Sequence, residues 1–232
     1  GELLDLLKPL SQAHDEPLFV TTHQTFELWF RLILYELESV RTHMQEGNIS
    51  EATRLLFRVV AIENLLTSQL DVLGTMTAQG FEEFRPQLGS ASGAQSVQFQ
   101  EIGLLSRQGN DDWPGRDHLC PEDVLRLERR GHEPSIWGAF QDLVIRSGGT
   151  ELADLFDQPP RHPELSELAD AMIAYDQAFM LWRLRHLRLV ARMIGRKKGT
   201  GGTAGCGYLR TTLERRFFPE LLAARPTTTP LD

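Results

Sequence analysis

The feature that most constrains the fold is helical periodicity, because apolar side chains recur at three- and four-residue steps along most of the chain. Three long stretches of this kind run over residues 15–47, 50–74 and 163–195, and each ends at a glycine. Strand-like alternation with hairpin turns is nearly absent. The sequence therefore predicts an all-α fold, a helical bundle of long antiparallel helices that forms one domain over residues 1–232.

Capping and proline signals indicate where the helices begin. Asp15, followed by Glu16 and Pro17, is typical of a first helical turn, and Pro163 is typical of another. Ser50 is expected to cap the second long helix. Shorter helices are expected at 95–105, 121–131, 134–146 and 208–216, with a helical turn at 81–85 and a polar loop at 106–120.

Charge and cysteine content narrow the classes of partner. The formal net charge of −8 argues against a nucleic-acid-binding surface, which needs clustered Lys and Arg. No apolar run approaches the ~20 residues of a membrane span, and no signal-peptide pattern opens the chain. Cys120 and Cys206 lie far apart without a C-x-x-C partner. Both cysteines are therefore expected to be free thiols, buried or half-buried, in a protein of the reducing cytoplasm. The expected partner of the protein is a small molecule.

Two histidines, His23 and His186, each interrupt the apolar stripe of a long helix. Taken singly, either would be expected to be a core residue hydrogen-bonded to a neighbour. Burying two polar rings without partners would cost roughly 1–3 kcal/mol each, so the pair suggests a buried cofactor between facing helices. No histidine has a glutamate three residues before it, which argues against a di-iron site. Haem needs only one axial imidazole and apolar walls, and the pattern leaves haem and a purely structural role both open.

Two further segments carry possible binding groups. The glycine-rich run from Gly199 to Gly205 offers backbone N–H groups to an anion, although it is also a plain helix terminus and turn. Arg85 lies one helical turn after Phe81, where the two could hold the carboxylate and ring of an aromatic amino acid. The alternative for Arg85 is an exposed side chain paired with Glu82.

Considered together, five segments resemble the tryptophan 2,3-dioxygenase family in order and spacing. They cover about two thirds of the chain, and the first and last are the most specific. The segments are Leu18 to Phe30 with its Thr-Thr-His-Gln sequence, Phe81-Glu82-Glu83-Phe84-Arg85, Ser92 to Phe99, Leu181-Trp182-Arg183-Leu184-Arg185-His186, and Ile194-Gly195 through Gly199-Thr200-Gly201-Gly202.

The resemblance implies a role for each matching residue. His186 corresponds to the axial ligand of haem b, with Trp182 and Gly201 also at the cofactor, and His23 to the catalytic histidine that hydrogen-bonds the indole N–H. For the substrate, the resemblance implies that Arg85 binds the carboxylate and Thr200 the amino-acid end. Phe19 and Phe81 correspond to walls of the indole pocket. The family also implies a homotetramer that uses O2 as co-substrate.

Departures from the family pattern leave the reaction open at this point. Ala94 stands where the family usually has an aromatic residue and Gln100 where it has an arginine, and residues 100–160 match poorly. The leading hypothesis is ring-cleaving dioxygenation of L-tryptophan or a close derivative to an N-formylkynurenine. The alternatives are a monooxygenase that hydroxylates a substituted tryptophan such as β-methyltryptophan to an oxindole, a non-catalytic haem-binding protein, and a structural bundle.

Overall fold

The structure is a computed structural model that describes residues 7–89, 91–107, 119–149, 151–157, 159–200 and 204–225. Within these ranges it contains helices and no strands, which confirms the all-α prediction. Three helices are long: α1 (Glu16–Glu46), α2 (Ile49–Leu73) and α7 (Pro163–Ile194). The shorter ones are α3 (Ala78–Phe84), α4 (Val97–Ser106), α5 (Pro121–His132), α6 (Ile136–Arg146), α8 (Cys206–Thr212) and α9 (Pro219–Ala224).

Two of the three long helices, α1 and α7, end at a glycine with a positive φ, whereas Gly74 after α2 has a φ of −66°. Gly47 follows α1 with φ 79°, and its N–H donates to the carbonyls of His43 and Met44. Gly195 follows α7 with φ 58°. Glycine adopts such angles without a Cβ penalty, which is why these two ends could be predicted.

Several sequence predictions are wrong in detail. Ser50 does not cap α2, because the helix begins at Ile49 and Asn48 occupies the cap position. The helix predicted at 208–216 begins earlier, at Cys206, and ends already at Thr212, and α9 beyond it was not predicted. Short 3-10 turns at Arg85–Leu88, Gly93–Gln95 and Leu152–Phe156 were also not anticipated.

Helix α2 packs against both other long helices. The tight Gly47 turn makes α1 and α2 antiparallel, as predicted. Helix α2 and α7 instead run in the same direction, because their last turns lie side by side: Arg185 pairs with Asp71 at 3.7 Å and Arg192 donates to the carbonyl of Gly74. The long connection between α2 and α7 makes this parallel arrangement possible.

Two apolar clusters form the interior. The larger joins α1, α2, α4, α6 and α7, and Phe217 and Phe218 pack into it with no exposed surface. The smaller lies at the end of the bundle near the C-termini of α2 and α7. Its buried members are Leu73, Met76, Phe81, Phe84 and Met193. This second cluster forms one wall of the cavity described below.

Two surface properties bear on the earlier expectations. Among the described residues, no helix combines the length and the apolar character that crossing a membrane requires. Both cysteines are free, Cys206 is half-buried, but Cys120 is exposed, so a buried thiol at that position was a wrong prediction. Cys120 is exposed because it precedes α5 at the helix N-cap position and Sγ donates to Asp123 at the surface.

Candidate active site

A cavity of about 720 Å³ opens between α1, α3, α7 and the segments 91–99, 199–200 and 205–212. This volume is in the range of small-molecule and cofactor sites. The structure brings to it seven of the eight residues singled out in the sequence: Phe19, His23, Phe81, Arg85, Trp182, His186 and Thr200. The eighth, Gly201, lies outside the described residues.

His186 projects from α7 into the cavity, and part of its ring is exposed there. Burial, together with the charge of His23, lowers the pKa of His186 from 6.5 to about 4. The imidazole is therefore neutral at physiological pH, which is the form that binds a metal ion. The Trp182 ring stacks on it at a centroid distance of 5.3 Å and an interplanar angle of 14°, which fixes the orientation of the His186 ring.

His23 lines the cavity from α1, and its tautomer follows from one hydrogen bond. Nδ1 lies 2.7 Å from the carbonyl oxygen of Phe19, one turn earlier. A carbonyl can only accept, so Nδ1 carries the proton. Burial lowers the pKa of His23, opposed by this hydrogen bond and by Glu27. A neutral ring protonated at Nδ1 leaves Nε2 as a hydrogen-bond acceptor.

Aromatic side chains line most of the cavity wall. Phe19 lies 5.7 Å from Phe81 and 5.3 Å from Phe84, between ring centroids. Farther along α1, Phe26 and Phe30 make edge contacts with Trp182 at 6.0 and 6.1 Å. One of these aromatic residues also carries an unused donor: the Trp182 Nε1 is buried and has no hydrogen-bond partner in the described protein. A buried N–H of this kind is normally satisfied, so it marks a place for an acceptor.

One group of polar side chains lies at the end of the cavity near α3 and the segment after α7. Arg85 Nη1 contacts Glu82 Oε1 at 3.2 Å, which is the pairing that the sequence analysis kept as the alternative. Its Nη2 donates to the carbonyl oxygen of Lys198 at 2.6 Å. Thr200 Oγ1 donates to the carbonyl oxygen of Ala91. The structure thus places a guanidinium and a hydroxyl at the same end of the cavity.

Sequence reasoning missed a polar clamp beside His23. Gln98 Nε2 donates to both the backbone carbonyl and the carboxylate of Glu27, at 2.8 Å each. This ties α4 to α1 next to the cavity. Glu27 lies one helical turn after His23, but the partner of its carboxylate is 71 residues away and could not be identified from local spacing.

A second group missed by the sequence is the polar face of α7 behind the cavity. Asp176 accepts from the Phe217 N–H at 3.0 Å. Arg183 Nη1 donates to the carbonyls of Thr212 and Arg215 at 3.0 and 2.6 Å. These buried residues hold the C-terminal end of α8 and the segment after it against α7. Helix α8 itself carries Tyr208, which lines the cavity.

The arrangement suits a flat, apolar prosthetic group and an aromatic ligand with a charged end. One neutral imidazole is available to bind iron, and a second offers an acceptor nitrogen. The guanidinium and hydroxyl can bind a carboxylate and its neighbouring polar atoms. No covalent nucleophile is needed for chemistry of this kind.

Comparison with known proteins gives a consistent result over nearly the whole chain. A family model described as tryptophan 2,3-dioxygenase matches residues 2–110 and 140–227. The tryptophan 2,3-dioxygenase of a Nocardioides species is 39% identical over 228 residues, covering 92% of this chain and 85% of that protein. The enzymes of that name from Pseudomonas aeruginosa and Caulobacter vibrioides are 36% and 35% identical over 246 residues. Each match covers 97% of this chain, with 85% and 94% of the relative's own length.

Proposed function

The chain belongs to the tryptophan 2,3-dioxygenase family, and from this premise we propose that it is a haem-dependent dioxygenase that opens the indole ring of L-tryptophan at the 2,3 bond. The product is then N-formylkynurenine. The observation that carries the proposal is the convergence of His186, His23 and Arg85 on one aromatic cavity. The relatives named above are all dioxygenases by name, and nothing in the comparisons supports the monooxygenase alternative.

The residues present fit haem b. The neutral His186 imidazole is a suitable axial ligand, and Trp182 stacked on it would hold that ligand in place. The buried Trp182 Nε1 lacks an acceptor in the described protein, and the carboxylates of haem are acceptors. We assign Gly201 to the same cofactor site only by its position in the family motif. When bound, haem supplies the ferrous iron at which O2, the co-substrate, is activated.

The substrate assignment follows from the polarity of the cavity. The Arg85 guanidinium would bind the carboxylate of tryptophan, and Thr200 would bind its amino-acid end. Phe19 and Phe81 would enclose the indole ring. Fixing both ends of the substrate places the indole 2,3 bond in a defined position, and orientation of this kind can contribute several kcal/mol to lowering the barrier.

His23 is assigned the polar contact to the indole. Its Nε2 is an acceptor because Nδ1 donates to Phe19, so it matches the indole N–H. Burial keeps the ring neutral by lowering its pKa. The role proposed for His23 is therefore to orient the indole and accept a hydrogen bond, with Glu27 and Gln98 holding the helix segment that carries it.

We further infer that residues 1–232 form one haem-binding helical domain that assembles as a homotetramer. Support for assembly comes from large apolar side chains at the surface of α1 and α2, including Leu28 and Tyr35, which are 54% and 65% exposed. A cytoplasmic location is proposed as well, supported by two free thiols.

Turnover by haem-loaded, reduced protein tests the proposal. L-tryptophan and O2 are expected to give N-formylkynurenine, detected by its absorbance and mass. The His23→Ala variant should keep its haem and lose about 10- to 100-fold in kcat/KM, since it removes one hydrogen bond to the substrate. His14→Ala is the matched control, because His14 is exposed on the segment before α1. A haem-loaded wild type without turnover, or a fully active His23→Ala variant, would contradict the proposal.

A further inference from the structure

An ion bridge links α3 to the segment that follows α7, at the polar end of the cavity. Glu82 Oε2 lies 2.9 Å from Lys197 Nζ, while Glu82 Oε1 lies 3.2 Å from Arg85 Nη1. The Glu82 carboxylate therefore contacts two cations at once. Its pKa is lowered, with the hydrogen bond from Lys197 as the largest cause, so the carboxylate is charged at neutral pH.

Backbone contacts place the same segment directly against Arg85. Arg85 Nη2 donates to the Lys198 carbonyl, and Thr200 Oγ1 donates to the Ala91 carbonyl. On the other side, a Cβ added to Gly205 would lie 2.8 Å from the carbonyl oxygen of Lys197. The 197–200 segment thus packs closely on both sides, and the Glu82 bridge is its one ion-paired side-chain link among the described residues.

We propose that Glu82 and Lys197 are positioning residues for substrate binding: together they hold the Arg85 guanidinium and the segment carrying Thr200 in the arrangement that receives the carboxylate of the ligand. This rests on the proposed function of the cavity as a tryptophan site. Neither residue is assigned to contact the substrate.

Charge explains why a bridge is needed at this point. Arg85 and Lys197 carry one positive charge each and Glu82 one negative charge, so the three together retain a single net positive charge. That is the charge required to balance one carboxylate. Without Glu82, the guanidinium would lose the partner that fixes its Nη1, and the two cations would repel each other. Without Lys197, the Glu82 carboxylate would pair with Arg85 only. It would then compete with the carboxylate of the ligand for the guanidinium.

Loss of the bridge should affect only the binding of ligands that carry a carboxylate. It should weaken the binding of such a ligand and leave the binding of a ligand without a carboxylate almost unchanged. L-tryptophan and tryptamine form a suitable pair, since they differ only in that carboxylate. A general loss of structure would weaken both.

The test uses haem-loaded protein and calorimetric binding of these two ligands. Glu82→Gln and Lys197→Gln should each raise the Kd for L-tryptophan by roughly three- to tenfold, with the Kd for tryptamine changed less than about twofold. The matched controls are Glu83→Gln and Arg196→Gln. Both residues adjoin the bridge, are exposed and form no ion pair within the described residues. Equal effects on both ligands, or control variants that behave like Glu82→Gln, would overturn the proposal.

Limited trypsin digestion provides a readout independent of haem and ligand. Cleavage after Arg196, Lys197 and Lys198 should be several-fold faster in Glu82→Gln than in wild type or Glu83→Gln, because the bridge holds this segment on α3. Identical cleavage rates would also overturn the proposal. A wild type that binds no tryptophan would instead refute the proposed function, and with it this inference, so the two failures are distinguishable.

Discussion

At the residue scale, His186 is the group on which the cofactor assignment depends. Its neutral imidazole faces a cavity, with a pKa of about 4, and within the described residues no side chain hydrogen-bonds to it. Sequence reasoning could select this residue because it interrupts an apolar stripe. Trp182 lies one helical turn before His186, but its stacking on the imidazole was not predicted and is shown only by the structure.

The first prediction concerns that histidine. The His186→Ala variant should fold, but its haem content should fall by about tenfold or more, because the one axial imidazole is removed. Haem content is measured from the Soret absorbance relative to protein after expression with ample haem. His132→Ala, at the exposed end of α5, is the control and should retain full haem. A His186→Ala variant with full haem would refute the ligand assignment.

Glu63 shows what the sequence could not reveal at this scale. It looks like an ordinary helix residue of α2, yet its carboxyl is fully buried and neither oxygen has a partner in the described protein. Burial raises its pKa to about 8, with the charge of Arg183 opposing this. Only the packing of α7 over α2 makes the group buried, so no local pattern could have indicated it.

A pH dependence of stability follows from Glu63. Between about pH 4.5 and 8 the folded state holds this proton and the unfolded state does not, so the free energy of unfolding falls as the pH rises. Glu63→Gln should remove this loss and stabilise the protein by up to a few kcal/mol at pH 8, with little difference near pH 4.5. Urea unfolding at several pH values measures the free energy of unfolding of each variant, with Glu83→Gln as the exposed control. Parallel profiles for wild type and Glu63→Gln would contradict the account.

At the element scale, the helices that could be predicted are those with strong local signals. The apolar stripe of α1, Pro163 at the start of α7, and the glycines after both helices indicated them correctly. The α8–α9 region was harder to predict, because Phe217 and Phe218 form a buried connection there rather than extending a helix. The parallel packing of α2 and α7 was missed because stripe periodicity carries no information about direction.

The site as a whole could be predicted only through the family resemblance. Residues on α1, α3 and α7 meet at one cavity although they are far apart in sequence, and spacing alone left His23 and His186 open as core residues. The clamp from Gln98 to Glu27 and the anchors at Asp176 and Arg183 depend on tertiary contacts. Such contacts have no local signature.

Gly205 provides a prediction for the segment at the cavity entrance. Its φ of 59° and the Lys197 carbonyl 2.8 Å from an added Cβ both oppose a side chain. Gly195 has a similar φ of 58° and open space around it, which makes it the matched control. Gly195→Ala should cost about 1–3 kcal/mol of unfolding free energy from backbone strain alone. Gly205→Ala should cost more and also weaken L-tryptophan binding. Equal effects in both variants would show that the close approach to Lys197 is unimportant.

At the scale of the whole molecule, both apolar clusters contribute to the cavity. The large cluster lines it with Phe26, Phe30 and Trp182, and the small cluster lines it with Phe81 and Met193 near the ends of α2 and α7. The outer surface still exposes apolar side chains of α1 and α2 that these clusters do not cover. These exposed apolar side chains are the physical support for the proposed tetramer, which would bury them between subunits.

The assembly can be tested by mass in solution. Light scattering is expected to give about four times the chain mass of 26.3 kDa. Leu28 and Tyr35 lie seven residues apart on one face of α1, so Tyr35→Glu should lower the mass by burying a charge at a subunit contact. Glu38→Gln, on the same helix, is the control. A monomeric wild type would contradict the proposed assembly.

The most direct test of the central claim traces both oxygen atoms of O2 into the product. Haem-loaded, reduced protein is given L-tryptophan and isotopically heavy O2 in a single turnover, and the product is analysed by mass. The account predicts N-formylkynurenine that carries two heavy oxygen atoms. A product with one heavy atom, or unchanged tryptophan from protein that binds both haem and substrate, would contradict it.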